Sequence, residues 1–396
     1  MAAHAPTLPD DVLVNILLRL PARSVGRFRA VCKAWRAATT LPSFDRAHAA
    51  RPAAVAKVAS GYGYVLYRSE IPVVVGFEFY GGRWRREGGP FARAISFVRT
   101  QISTCRVLGS WDGVLCLQPY TAFLWPNHPE EPARDDELLL WNPLTNAFTT
   151  VLAPAAHGRV IGGYAHPVTG RFHLLHSEEA TLSDHQDLRA PITFQILRVG
   201  DANWREVPWE DRLNIFMKSD GDRSTERVMV LMFDMAREEF RFMEGPARPG
   251  MALQTTRTVL SNSKLCILTL AKAPSPCPME MWVLNDHSDP QTWQLKEKIR
   301  MVRFDGTDLS PWFTCAAAKV EVVEDGNDGE EILLRLEDRI DAYNFQEKVW
   351  RKMSITKGCC VVMHRESVLQ PEISFGEQAR VLRTQRDIFG RICYCV

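Results

Sequence analysis

The sequence predicts an α+β, multi-domain chain: a short N-terminal helical unit followed by a long all-β domain of repeated hairpins. Three observations predict it. Apolar residues fall at helical spacing between Leu8 and Phe44. After Pro52 the apolar period changes to two, in short runs broken by Gly, Pro, Asn and Asp. Within that second region one hairpin phrase, built around a fixed aromatic position, recurs along the chain.

The helices come first. Val12, Leu13, Ile16, Leu17 and Leu20 line one face of a first helix, with Asp10 and Asp11 in its first turn and Pro21 stopping it. Ser24 is placed to cap a second helix over 25–30. A third, from 31 or 32 to about 39, presents Cys32, Trp35 and Ala38 on one side before Pro42 closes the unit. Three helices this short have little interior, so something must cover their apolar faces. Residues 1–51 hold eight Arg/Lys against three Asp, a local charge of +5 that leaves −4 for the rest. A basic helical module with exposed Leu, Ile and Trp suits a partner with an apolar groove rimmed by acids.

The string LPDDVLVNILLRLPARSVGRFRAVCKAWRAATTLPSF, residues 8–44, resembles an F-box. The matching positions are Leu8-Pro9, Asp10-Asp11, Ile16-Leu17, Leu20-Pro21, Ser24-Val25, Arg27-Phe28-Arg29, Val31-Cys32-Lys33 and Trp35-Arg36. Gly26 departs from the pattern, which more often has a bulky apolar residue there. The resemblance implies docking on the Skp-type linker of a cullin–RING ubiquitin ligase. It assigns the contact face to Leu8, Pro9, Ile16, Leu17, Leu20, Pro21, Val25, Val31, Cys32 and Trp35.

In the β region the hairpin phrase reads as a strand, a polar turn, an aromatic followed by a polar or basic residue, and a second strand. Its copies lie at 73–88, 137–154, 193–209, 228–246, 279–299 and 338–355. The aligned aromatics Trp84, Phe148, Trp204, Phe240, Trp293 and Trp350 are separated by 64, 56, 36, 53 and 57 residues. A period near 50 predicts a kelch-like β-propeller of about six units, with further strands over 113–117, 170–175, 265–270 and 331–336. The 36-residue interval leaves two readings: a truncated unit, or two hairpins of one blade. Trp141, Trp204, Trp293 and Trp350 are expected in the core, because repeated aromatic positions are what blade packing demands.

This region resembles the F-box-associated domain of plant F-box proteins, best over 105–355. The phrases are Trp111-Asp112-Gly113-Val114-Leu115-Cys116-Leu117, Leu140-Trp141-Asn142-Pro143-Leu144-Thr145, and Gly162-Gly163-Tyr164 with Pro167-Val168-Thr169. His166 stands where that third phrase has Asp, and Phe233-Asp234 with Glu239-Phe240 match a later strand pair. An Asn-Gly-x-Leu-Tyr-Trp phrase usual before 228 is missing, and residues 213–224 hold its place. The expected domains are therefore 1–51, with its core motif at 8–44, and 52–396.

Composition excludes several classes. With 48 Lys+Arg against 47 Asp+Glu the net charge is +1, which gives nucleic-acid binding no support. The longest apolar runs, 138–141 and 228–233, are far short of the ~18–20 residues that span a bilayer, so no membrane association is expected. The opening MAAHAPTLPDD does not read as a secretory signal, Cys is sparse at ten, and no Asn-x-Ser/Thr occurs. Cytosol and/or nucleus is the expected compartment. Tyr394 and Cys395 are poor middle residues for prenylation of Cys393.

No phosphate loop, dinucleotide fingerprint, Gly-x-Ser-x-Gly or His-Glu-x-x-His is present, and no cofactor, metal or catalytic residue is expected. Alternation puts His173 and His176 on opposite faces of a strand. Cys359-Cys360, His364 and Cys393-x-Cys395 lack zinc-site spacing. Acidic pairs at 130–131, 135–136, 178–179 and 324–325 read as solvated connections. Among the long connections, 118–136 carries Tyr120, Phe123, Leu124 and Trp125, the expected substrate-contact residues. The reading is a non-catalytic substrate adaptor whose partners are the linker, through it cullin and RING subunits, and an unidentified target. The alternatives are a stand-alone protein- or glycan-binding module with no ubiquitin role, and an enzyme whose site is assembled from distant loops.

Overall fold

Four helices, not three, open the chain: α1 (Asp10–Leu18), α2 (Ala22–Phe28), α3 (Lys33–Thr39) and α4 (Pro42–Ala49). Pro42 begins a helix instead of closing the unit; a proline's missing N–H costs nothing at the first helical position. Ser24 lies inside α2 and does not cap it. Cys32 caps α3, its Sγ accepting from Trp35 N–H at 3.5 Å.

The computed structural model describes residues 9–20, 22–49, 55–61, 73–80, 83–86, 104–120, 137–142, 145, 147–154, 158–178, 193–209, 229–246, 253–261, 264–271, 278–315, 319–325, 329–336, 339–353, 359–365, 367–368, 371–381, 383–386 and 392–395. They fall into two compact units. The first is Met1–Thr181 with Gln195–Arg205 and Val361–Val396; the second is Leu182–Phe194 with Glu206–Cys360.

The strands form antiparallel meanders. β1 (Val55–Gly61), β2 (Val73–Tyr80) and β3 (Arg83–Arg86) make one sheet, completed beside β1 by a late strand. β4 (Thr104–Trp111), β5 (Val114–Tyr120), β6 (Glu137–Asn142) and β7 (Ala147–Leu152) make the second. β8 (Gly158–Ala165), β9 (Phe172–Glu178), β10 (Thr193–Arg198) and β11 (Arg205–Glu206) make the third. β12 (Met229–Asp234) and β13 (Glu239–Glu244) pair with each other, a two-stranded sheet among the described residues. β14 (Leu253–Ser261), β15 (Lys264–Ala271), β16 (Met279–Leu284) and β17 (Trp293–Ile299) follow, then α5 (Ser310–Thr314). Next come β18 (Lys319–Asp325), β19 (Gly329–Leu336), β20 (Arg339–Asn344) and β21 (Val349–Met353). β22 (Cys359–Arg365) is the strand beside β1. After α6 (Pro371–Phe375), β23 (Arg380–Val381) joins β7, and β24 (Arg383–Arg386) pairs β25 (Ile392–Cys395).

The fold class is the expected one, N-terminal helices followed by an all-β domain whose sheets have the form of propeller blades. Each of the six recurrent phrases is a hairpin. The short interval has its explanation: β10–β11 and β12–β13 belong to different sheets, and the latter has two strands among the described residues. Residues 213–224, which hold the place of the missing phrase, lie outside the described residues.

Turn chemistry sets the hairpins. Asp112 and Gly113 both take positive φ (45° and 79°) in the two-residue connection of β4 to β5, as a type I′ turn requires. Six residues before the fixed aromatic, Asp234 and Asn344 each accept two backbone N–H groups with Oδ1, from Ala236 and Arg237 and from Gln346 and Glu347. Both turns finish on a left-handed residue, Glu238 (φ 57°) and Lys348 (φ 59°).

The fixed aromatic also has a job across sheets. Trp204 donates its indole N–H to Leu152 O at 2.8 Å, Trp293 to Glu244 O at 3.0 Å and Trp350 to Arg300 O at 2.8 Å. In each case the acceptor lies at the end of the last strand of the preceding sheet or, for Arg300, one residue beyond it, so each of these three Trp ties one meander to the one before it. Trp141 and Trp350 are buried as expected, whereas Trp204, just before β11, and Trp293, the first residue of β17, are only half-buried because each lies where a strand begins.

Two β cores result. In the first unit Val114, Cys116, Leu138, Leu140, Phe172 and Leu174 pack β4–β7 against β8–β10, joined by Phe375. In the second, Leu268, Met281, Ile299, Phe313, Leu334 and Trp350 join β14–β17 to β18–β21. Both are built from apolar side chains. Two buried acids on β19 and β20 are paired: Asp341 accepts from Arg303 Nη1, on the loop after β17, at 3.1 Å, and Glu331 meets Arg351 and Asn344.

Candidate functional site

The helical unit has a small interior of Leu17, Val25 and Phe44, with Leu13, Val14, Leu18, Leu20, Phe28 and Trp35 packed around it. Trp35 meets Phe28 edge to face at 5.1 Å. Arg29 clamps the end of α3, donating from Nε to Thr39 Oγ1 at 3.3 Å and from Nη2 to Thr39 O. His48 Nε2 meets Leu20 O at 2.7 Å, holding α4 to the end of α1.

The apolar stripe of α1 is wider than that interior. At about 100° per residue, Val12, Ile16, Leu13 and Leu17 spread over roughly 140°. They do not share one environment. Leu17 is 1% exposed, while Val12 and Ile16, one turn apart, are 39% and 43% exposed. Helices this small cover one edge of the stripe and leave the other in water.

The expected contact residues divide accordingly. Pro9, Ile16, Val31 and Cys32 are exposed, Leu20 and Trp35 half-buried, and Leu17 and Val25 buried inside the unit. Leu17 and Val25 are therefore interior residues of this chain, not part of its open surface. Leu8 and Pro21 lie outside the described residues. Exposed Arg19, Arg27, Lys33 and Arg36 supply a basic surround. Gly26 has open space around it on α2, so an added Cβ there would meet nothing.

Residues 6–47 match the family described as F-box domain. The chain carries an F-box domain over these residues. The F-box protein At3g16210 of Arabidopsis thaliana is 23% identical over 257 residues, 60% of this chain and 61% of that one. At4g09190 of the same plant is 21% identical over 302 residues, covering 73% of this chain and 70% of its own length. F-box protein At5g18160, also from Arabidopsis thaliana, is 22% identical and aligns over 62% of this chain and 60% of its own. The chain thus spans about three fifths of the length of the first and third of these relatives. A crystal structure of α-L-arabinofuranosidase from Lactobacillus brevis aligns with a TM-score of 0.28 at 10% identity, over 72% of this chain and 93% of that one, a level that supports no inference.

The expected substrate loop is another matter. Phe123, Leu124 and Trp125 lie outside the described residues, as does the side chain of Tyr120 on β5. So do the side chains of Cys359, Cys360, His364, Cys393 and Cys395. His173 packs against Tyr164 and His166, and His176 against Trp204, the different neighbours that strand alternation predicts. Burial pushes the Cys116 thiol up to about 12, so it stays protonated and unreactive. Sequence reasoning missed one feature: Phe304 is 99% exposed at the tip of a loop braced from within. Arg303 bonds Asp305 at 2.7 Å, Thr307 at 3.0 Å and Asp341 at 3.1 Å, while Gly306 takes φ 81°. An Arg-Phe-Asp-Gly-Thr run is the only sequence signal for it.

Proposed function

We propose that the chain is a substrate-recognition adaptor of an SCF-type cullin–RING ubiquitin ligase. The F-box docks on the Skp-type linker, and through it on cullin and RING subunits, while the β-domain, residues 52–396, holds a target protein. Catalysis stays with the ligase partners. This chain supplies proximity, converting an encounter between target and charged ubiquitin-conjugating enzyme into a reaction within one assembly. The cytosol and/or nucleus is the compartment where this would operate.

The observation that carries the reading is the uncovered edge of α1, Val12 and Ile16, inside a matched F-box with a basic surround. Burying the rest of Ile16 on docking is worth about 1 kcal/mol, and a patch of such residues makes a stable interface. Pro9, Ile16, Leu20, Val31, Cys32 and Trp35, with Leu8 and Pro21, form the docking set; Leu17 and Val25 hold it in shape from inside. Tyr120, Phe123, Leu124 and Trp125 are proposed to meet the target, and braced Phe304 has the exposure to do so as well.

Burial selects the test. Ile16 and Val31 are exposed, so Ile16→Asp with Val31→Asp leaves the F-box interior intact. The full-length double variant is expected to fold and to bind a purified Skp-type linker at least about 100-fold more weakly. Unchanged binding would overturn the assignment of the docking face.

A further inference from the structure

The interior of the F-box contains a residue from the far end of the chain. Val368 is buried together with Leu17, Val25 and Phe44. Its neighbour Ser367 is buried as well, and the carbonyl of Ser367 accepts from Asn142 Nδ2 on β6 at 3.2 Å. A Cβ at Gly113, in the β4–β5 turn, would collide with Ser367, so the turn leaves room for this segment. Beyond it, Phe375 on α6 is fully buried in the core beneath β4–β7, and β23 extends that sheet, pairing Arg380 with Phe148 and Val381 with Ala147.

We propose that residues 367–381 are a structural part of the F-box and mount it on the β4–β7 sheet at a second point. The chain already links the helices to the β-domain once, leaving α4 at Ala49 and entering β1, in the neighbouring sheet, at Val55. The C-terminal segment adds a connection made by packing. One end puts Val368 into the helical interior, with its neighbour Ser367 held by Asn142; the other is held by the core position of Phe375 and the β7 ladder. The F-box is then not a free-standing module. Its helices need a side chain delivered from more than 300 residues away, and its docking face is held in a set relation to the first β core. That consequence for docking rests on the adaptor reading; the packing claim and its test do not.

Hydrogen exchange on the full-length protein reads this directly, with no linker present. Val368→Ala removes two buried methyl groups, and amides of α1, α2 and α4 are expected to exchange about tenfold faster or more, with β14–β17 unaffected. Val368→Ile should keep the protection. Asn142→Ala changes a side chain on β6, yet it should speed exchange in the same helices, by a smaller factor, because it releases Ser367. A packing defect confined to the sheet would not reach them. Unchanged helix exchange in either alanine variant, or a loss spread equally over β14–β17, overturns the proposal.

Discussion

His166 stands where the resembling phrase has Asp, and the ring does what a carboxylate would. Its Nδ1 accepts from the N–H groups of Val168 at 3.2 Å and Thr169 at 3.3 Å, closing the turn between β8 and β9. His176, nearby on β9, is a different case. It is buried, and burial holds its pKa below the ordinary 6.5, with the Glu178 carboxylate pulling part of the way back. The unfolded chain therefore takes up this proton before the folded one does. The stability tied to a neutral His176 is complete above about pH 6.5 and is lost as pH falls from there through the lowered folded value. Urea midpoints at pH 7.5 and 5.5 should fall in the wild type and fall less in His176→Gln. Equal slopes would show that this ring does not couple folding to pH.

At the scale of elements, the repeated Trp is the feature that organises the β-domain. One side chain fills the space between meanders and satisfies a carbonyl at the end of the preceding one. Trp350→Phe keeps the ring but removes the donor to Arg300 O, leaving a carbonyl without its partner. A loss of about 1–3 kcal/mol in unfolding free energy is expected, from the bond and the missing volume together; a change under about 0.5 kcal/mol would mean the tie is incidental. These hairpins were legible because turn residues and aromatics sit at fixed offsets, a local signal. What the aromatic bonds to was not legible, since its acceptor lies 49 to 52 residues away. The same limit hid β22 beside β1 and Val368 inside the helices: long-range partners carry no local mark. Two misreadings at the N-terminus were local. Pro42 and Ser24 have two meanings each, stop or first helical residue and cap or interior, and packing decided between them. The width of the α1 stripe was visible in the sequence, but which edge stays in water depends on how much core four short helices can offer.

For the whole molecule, the proposed role needs two things of the chain: an F-box surface left open for a partner, and a β-domain able to present a target. The first is supported by an α1 that is apolar on more of its circumference than its own fold uses. The second is supported by meanders whose turns, Asx-bonded and closed by left-handed residues, leave the connections between them free to vary in sequence. The measurement that tests the central claim most directly is reconstitution of the full-length chain with a purified Skp-type linker and cullin, followed by sedimentation velocity. The account predicts one species containing all three in equal ratio, in which the chain joins cullin only when the linker is present. A folded chain that sediments alone beside a linker–cullin complex would contradict it.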